Sequence, residues 1–135
     1  MKNLNLNFSF ILLILFLYSC TPSENAKQIK SENEENLNFE KYKITFIELG
    51  STTCIPCQMM QPIIREIRDS FPKDVQVIFY DLNDRKNLKH AQKYKIRVIP
   101  TQIFIDNRGE IVEKHEGFFP RDEIFRFLKS KGVNQ

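Results

Sequence analysis

The stretch that most constrains this chain is Cys54-Ile55-Pro56-Cys57. It follows an apolar run, Ile44-Thr45-Phe46-Ile47-Glu48-Leu49, and precedes a helical pattern that begins at Gln58. A strand therefore feeds a short loop, and the loop delivers two thiols to the first turn of a helix. Residues three apart on a helical turn share a face, close enough for a disulfide. A helix N-terminus carries partial positive charge and unpaired N–H groups, which favour a thiolate over a thiol. Cys54 is thus a nucleophile by position. Cys57 is placed to attack the mixed disulfide that Cys54 would form. The pattern points to thiol–disulfide exchange.

A zinc site is the competing use of such a pair, and it usually needs four ligands. Beyond the pair the chain offers only Cys20, His90 and His115. His90 lies on a helix among charged neighbours and His115 on an edge strand, so both read as solvated side chains. No metal and no bound cofactor is expected.

The chain has 135 residues, enough for one small domain and not two. Twelve Phe and no Trp place the aromatic packing on Phe and remove tryptophan fluorescence as a redox probe. The net charge of +3 is modest and the basic residues are scattered. With no clustered basic stripe, nucleic acid is not an expected partner.

Residues 1–20 read as an export signal. Lys2 is a short basic start, and residues 8–17 are apolar except for Ser9. A run of about ten residues is too short to span a bilayer, which needs about 20. The segment ends in Leu17-Tyr18-Ser19-Cys20, which resembles a bacterial lipobox; the resemblance implies that Cys20 is lipidated. Lipidation would also account for the odd third cysteine. Residues 21–40 are rich in charge and poor in apolar groups, as in Ser31-Glu32-Asn33-Glu34-Glu35-Asn36, and read as a flexible tether. Ile29, Leu37 and Phe39 could dock on the domain.

The domain is expected over residues 41–135. Residues 43–49 read as a central strand covered on both faces. Met60, Ile63, Ile64, Ile67 and Phe71 recur at helical spacing, with Pro62 inside the helix. Residues 75–82 read as a second buried strand, and Asn83 or Asp84 as the cap of a short helix through Tyr94. Residues 101–106 and 110–116 form a hairpin around Asn107-Arg108-Gly109. Pro120 suits the first turn of a last helix with Ile124, Phe127 and Leu128 on its apolar face. The fold class is α/β: a central mixed sheet, two parallel strands plus an antiparallel hairpin, flanked by helices.

Three motifs in this order resemble the thioredoxin superfamily, in particular its extracytoplasmic thioredoxin-like (CxPC) lipoproteins. They are Cys54-Ile55-Pro56-Cys57, then Met59-Met60-Gln61-Pro62, then Ile99-Pro100-Thr101. The resemblance covers about residues 43–131. It departs at Thr53, where many thioredoxins have Trp, at Gln58, where Lys is common, and at Gly50, where an aromatic is usual. The family's first strand and helix have no clear counterpart before Lys43.

The resemblance implies roles. Cys54 attacks and Cys57 resolves. Glu48 stands where the family often has a buried acid that accepts the resolving cysteine's proton. Burial would raise its pKa towards neutrality. Pro100 is expected to be cis and to expose the Ile99 backbone to a substrate strand, next to Thr101. Gly117 would let that strand approach closely, Ile55 and Pro56 would touch it, and Phe118 and Phe119 would either rim the groove or join the core.

The expected activity is therefore thiol–disulfide oxidoreduction, most directly the reduction of disulfides in exported proteins. A thiol oxidase or disulfide isomerase on the same fold, and a tethered binding or chaperone module with a structural disulfide, are the alternatives. The expected setting is the bacterial cell envelope, with a monomeric, lipid-anchored domain on the periplasmic or other extracytoplasmic side. A membrane electron donor of the DsbD/CcdA type would reduce it.

Overall fold

The computed structural model describes residues 37–134. The export signal, Cys20 and residues 21–36 of the tether lie outside the described residues. Strand β1 (Ile44–Gly50) is buried at every position, as its almost unbroken apolar run requires of an inner strand. Its neighbours are β2 (Val75–Asp81), β3 (Thr101–Asp106) and β4 (Ile111–Glu116), in the spatial order β2-β1-β3-β4. β1 and β2 run parallel, while β3 is antiparallel to β1 and β4 to β3. This is the mixed sheet that the sequence implies. β2 departs from expectation in one respect: after Val75 it is only half-buried. It sits at the sheet edge and has one neighbour, so its apolar run is not covered like that of β1.

Helix α1 (Ile55–Ser70) links β1 to β2. It starts at Ile55 rather than Gln58. Ile55 is 72% exposed, so the helix's first turn carries no apolar periodicity to read. Pro56 occupies the second helical position, where its missing N–H would have had no partner anyway. The helix runs on through Pro62 and buries Cys57, Met60, Ile63, Ile64 and Ile67. Helix α2 (Leu88–Lys93) follows a 3-10 turn at Arg85–Asn87, which Asp84 caps by accepting from the Lys86 N–H at 3.0 Å. Helix α3 (Arg121–Ser130) takes Pro120 as its N-cap instead of its first residue. Its buried face is Ile124, Phe125 and Leu128; Phe127 is only partly buried, with its ring 4.8 Å from that of Phe104. No helix among the described residues is long and apolar enough to cross a membrane.

Strand alternation divides the core in two. Ile44, Phe46 and Phe104 face Met60, Ile64 and Ile67 of α1 and Ile124 and Leu128 of α3. Ile47, Leu49, Ile103 and Ile105 face the other way, towards Tyr94 and the partly buried Ala91 of α2. Leu37 and Phe39 pack on this second cluster. This is the docking expected of Leu37 and Phe39.

His90 corrects the expectation of a solvated side chain, while His115 on the edge strand is half-buried. His90 faces inward from α2, is buried, and stacks on Tyr80 at 3.7 Å. Burial holds its imidazole below the usual range. His115 lies opposite Gln102 and stacks on Phe119 at 4.0 Å. Its Nε2 is 3.2 Å from the Phe118 carbonyl oxygen. Tyr80, on another element, covers the His90 ring, and Phe119, four residues on, stacks on that of His115.

Candidate active site

The sheet register gathers the expected site residues at one end of the fold. Gly50 pairs with Asp81, Leu49 with Thr101, and Thr101 with Glu116. The loop after β1, the Ile99-Pro100 peptide before β3, and Gly117 after β4 therefore share one rim. The loop is held by polar contacts. The Cys54 N–H donates to the Ser51 carbonyl at 3.2 Å, and the Ser51 and Thr53 hydroxyls lie 2.9 Å apart. The Thr52 hydroxyl donates to Asp81 at 3.2 Å and accepts from the Asn83 amide at 3.2 Å. The Gln58 side chain closes the set by donating to the Thr52 carbonyl at 2.8 Å. Sequence reasoning passed over Ser51, Asp81 and the Thr52–Asn83 contact. The signal was the density of Ser, Thr, Asn and Asp at two loops that follow adjacent strands.

Cys54 is the N-cap of α1 and is half-buried. Its carbonyl accepts from the Gln58 N–H at 3.0 Å, the first bond of the helix. Cys57, one turn on, is 1% exposed, and both cysteines are free thiols. Burial pushes the Cys57 thiol up to about 12. The neighbouring Cys54 sulfur adds to this, the Ser51 backbone opposes it, and Glu48 adds a smaller push. Such a thiol does not ionise near neutral pH without a base. Gly50 makes room for it: a Cβ there would stand 3.2 Å from the Cys57 sulfur and 3.3 Å from a ring carbon of Phe79.

Glu48 has no solvent exposure. Alternation puts it on the same face as Phe46, towards α1 and Cys57. Its cross-strand neighbours are Phe79 and Gln102. Burial raises its carboxyl from 4.5 to about 8. Gln102 pulls the other way, although its amide atoms stop short of hydrogen-bond geometry. The site thus holds a buried thiol that needs a base and, on the same face, a buried carboxyl that titrates near neutrality. A half-buried thiol sits at the helix terminus beside them. This set can carry out two successive sulfur-to-sulfur displacements.

The Ile99-Pro100 peptide is cis. The Pro100 carbonyl accepts from the Gly117 N–H at 2.7 Å, and the Thr101 hydroxyl donates to the Val98 carbonyl at 2.7 Å. Gly117 has φ +95° with open space where a Cβ would point. Ile55, Met59, Val98 and Phe118 are exposed apolar side chains, while Phe119 is core. Of the two phenylalanines, only Phe118 is available to a ligand.

The thioredoxin family model matches residues 25–130. Thioredoxin Y1 of Arabidopsis thaliana chloroplasts is 32% identical over 111 residues, 82% of this chain and 63% of that protein, so the chain spans just under two thirds of that relative. A mutant thioredoxin from Halobacterium salinarum superposes with a TM-score of 0.62 at 22% identity, covering 73% of this chain and 82% of that one. The exposed lipoprotein thioredoxin of Streptococcus pneumoniae gives a TM-score of 0.57 at 26% identity, over 67% of this chain and 87% of that one. The family match spans most of the sequence and includes both cysteines, the buried Glu48 and the cis Ile99-Pro100 peptide: the chain belongs to the thioredoxin family.

Proposed function

We propose that this chain is a thiol–disulfide oxidoreductase that reduces disulfides in exported proteins while anchored to the cell envelope through a lipid on Cys20. One observation carries the chemical part: the buried Cys57 lies one helical turn from the half-buried Cys54, on the sheet face that holds Glu48. The Cys54 thiolate attacks one sulfur of a substrate disulfide. A mixed disulfide forms, and the other substrate sulfur leaves as a thiolate. Ionised Glu48 takes the Cys57 proton, and Cys57 attacks the Cys54 sulfur. The substrate's remaining sulfur leaves as the second thiolate. Two electrons have passed to the substrate, and Cys54 and Cys57 are joined. A membrane dithiol donor of the DsbD/CcdA type would reverse that oxidation.

The substrate strand is read as lying along Ile99, Pro100 and Thr101, with Gly117, Ile55 and Pro56 around it. The free backbone beside the cis peptide supplies main-chain pairing. The envelope setting is supported by the signal-like residues 1–20, by the lipobox-like Leu17-Tyr18-Ser19-Cys20, and by the likeness to a pneumococcal protein described as an exposed lipoprotein thioredoxin.

The test is the reduction potential of the Cys54–Cys57 pair, read by alkylation and mass after equilibration in dithiothreitol buffers. A reductase is expected near about −270 mV, and a value near about −120 mV would instead mark an oxidase. In parallel, Cys57→Ser should accumulate mixed disulfides with envelope proteins. A pair that is only structural would lose stability and trap nothing.

A further inference from the structure

One stretch departs from the scatter of basic residues seen along the whole chain. Residues 85–97 contain Arg85, Lys86, Lys89, Lys93, Lys95 and Arg97 and no acid, a formal +6 in a chain whose total is +3. All six are exposed, but Arg97 is ion-paired with Glu116 at 3.0 Å. The fold gathers them on α2 and its flanks, because His90, Ala91 and Tyr94 take the inward positions. Leu88 and Val98, at 42% and 47% exposure, add apolar surface to the same stretch. Exposed cations interleaved with exposed aliphatic groups match a lipid surface, which offers anionic headgroups above an apolar interior.

The path of the chain points the same way. Leu37 and Phe39 pack on the cluster that α2 also covers. Leu37 and Phe39 therefore lie on the α2 side of the sheet, opposite α1 and α3. A lipid on Cys20 would hold the domain near the membrane.

We propose that the exposed face of α2 and its flanks, with Arg85, Lys86, Lys89, Lys93 and Lys95, docks on anionic lipid headgroups. The proposal rests on the reading of Cys20 as an anchor only for nearness to the membrane. One acyl signal and one basic patch together give stable, oriented attachment where either alone is weak. Docked in this way, the domain keeps α1 and α3 in solvent. Val98 and Ile99 at the edge of the substrate groove come close to the lipid surface, which favours partners that sit at the membrane.

The experiment is lysine footprinting of the full chain with excess vesicles. One set contains 30% phosphatidylglycerol in phosphatidylcholine and the other is pure phosphatidylcholine. Acetylation rates of Lys86, Lys89 and Lys93 are compared with those of Lys73 and Lys129, which lie elsewhere on the domain. Each basic residue at an anionic surface adds about 1 kcal/mol to binding, so the three α2-side lysines should slow several-fold relative to Lys73 and Lys129 on the anionic vesicles alone. It should disappear at high salt. Equal rates on the two vesicle types would overturn the proposal. So would equal protection by a DNA oligonucleotide, which would mark a general polyanion site. Slow rates without vesicles, relieved when Glu32, Glu34 and Glu35 are changed to Gln, would assign the patch to the chain's own acidic segment instead. The mass of the peptide bearing Cys20 reports acylation separately, so loss of the anchor reading does not pass for loss of the patch.

Discussion

Glu48 on β1 and Gln102 on β3 stand directly opposite each other with no solvent exposure, and among the described residues neither carboxyl oxygen nor either amide atom has a hydrogen-bond partner. Buried polar atoms left unpaired cost about 1–3 kcal/mol each, and an ionised carboxylate costs more. The pair therefore weakens the fold in order to hold a carboxyl at about 8. The folded-state value lies above the ordinary 4.5, so the folded chain keeps a proton that the unfolded chain has lost. The protonated carboxyl's contribution is fully present below pH 4.5 and is lost as pH rises to about 8. The loss is roughly 3–5 kcal/mol. Urea unfolding of the dithiol form between pH 4.5 and 8.5 should register it. Glu48→Gln should flatten that dependence and be the more stable protein at the alkaline end.

Burial sets where Glu48 titrates, and Gln102 tempers it. Its amide favours the ionised carboxyl, so Gln102→Leu should move the Glu48 titration to higher pH. With less carboxylate near neutrality, Cys57 resolves the mixed disulfide more slowly, and the rate recovers at more alkaline pH. Attack by Cys54 is unaffected. Stopped-flow measurement of both steps against pH separates the cases, because a packing defect would not shift the midpoint of the resolving step. Gln102→Asn, which keeps an amide on a shorter stem, should restore part of the shift.

Gly50 and Cys57 are in contact through the space that a side chain at residue 50 would fill. The Cβ of Gly50→Ala would sit 3.2 Å from the sulfur and 3.3 Å from the Cys57 Cβ. Cys57 is held on the buried face of α1, whereas Phe79 is half-buried on the edge strand. We expect a loss of about 1–3 kcal/mol in chemical unfolding. We also expect slower release of trapped substrate, since the sulfur that must attack Cys54 is displaced.

The sequence carried the chemistry of this site more completely than its support. Cys54 and Cys57 are legible because a thiol pair at a strand-to-helix junction has few other uses. The burial of Glu48 is legible because it is an acid inside an apolar strand. Gln102 is not legible: it faces Glu48 only through the antiparallel register of β1 and β3, which no local pattern fixes. The same is true of His90, which looked solvated until Tyr80 on β2 covered its ring at 3.7 Å. The half-burial of β2 follows from its edge place in the sheet, and strand order is a long-range property that residue composition does not encode. The docking of Leu37 and Phe39 was legible because they are apolar residues in a polar segment, and the cluster they pack on bears it out.

Gly117 isolates a backbone effect from a packing effect. Its φ of +95° is one that side-chain-bearing residues rarely adopt, yet a Cβ there would meet nothing within 4 Å. Gly117→Ala should therefore cost about 1–2 kcal/mol of stability through conformational strain alone. Its N–H donates to the Pro100 carbonyl at 2.7 Å, so strain at Gly117 is transmitted to the groove edge. If a substrate strand runs past this edge, the added methyl also stands in its way. The expected result is a rise in KM for a disulfide-bonded peptide, with little change in the reaction of Cys54 with a small reagent such as a symmetric aromatic disulfide. Equal losses with peptide and small reagent would place the defect at the thiols and remove Gly117 from the substrate groove.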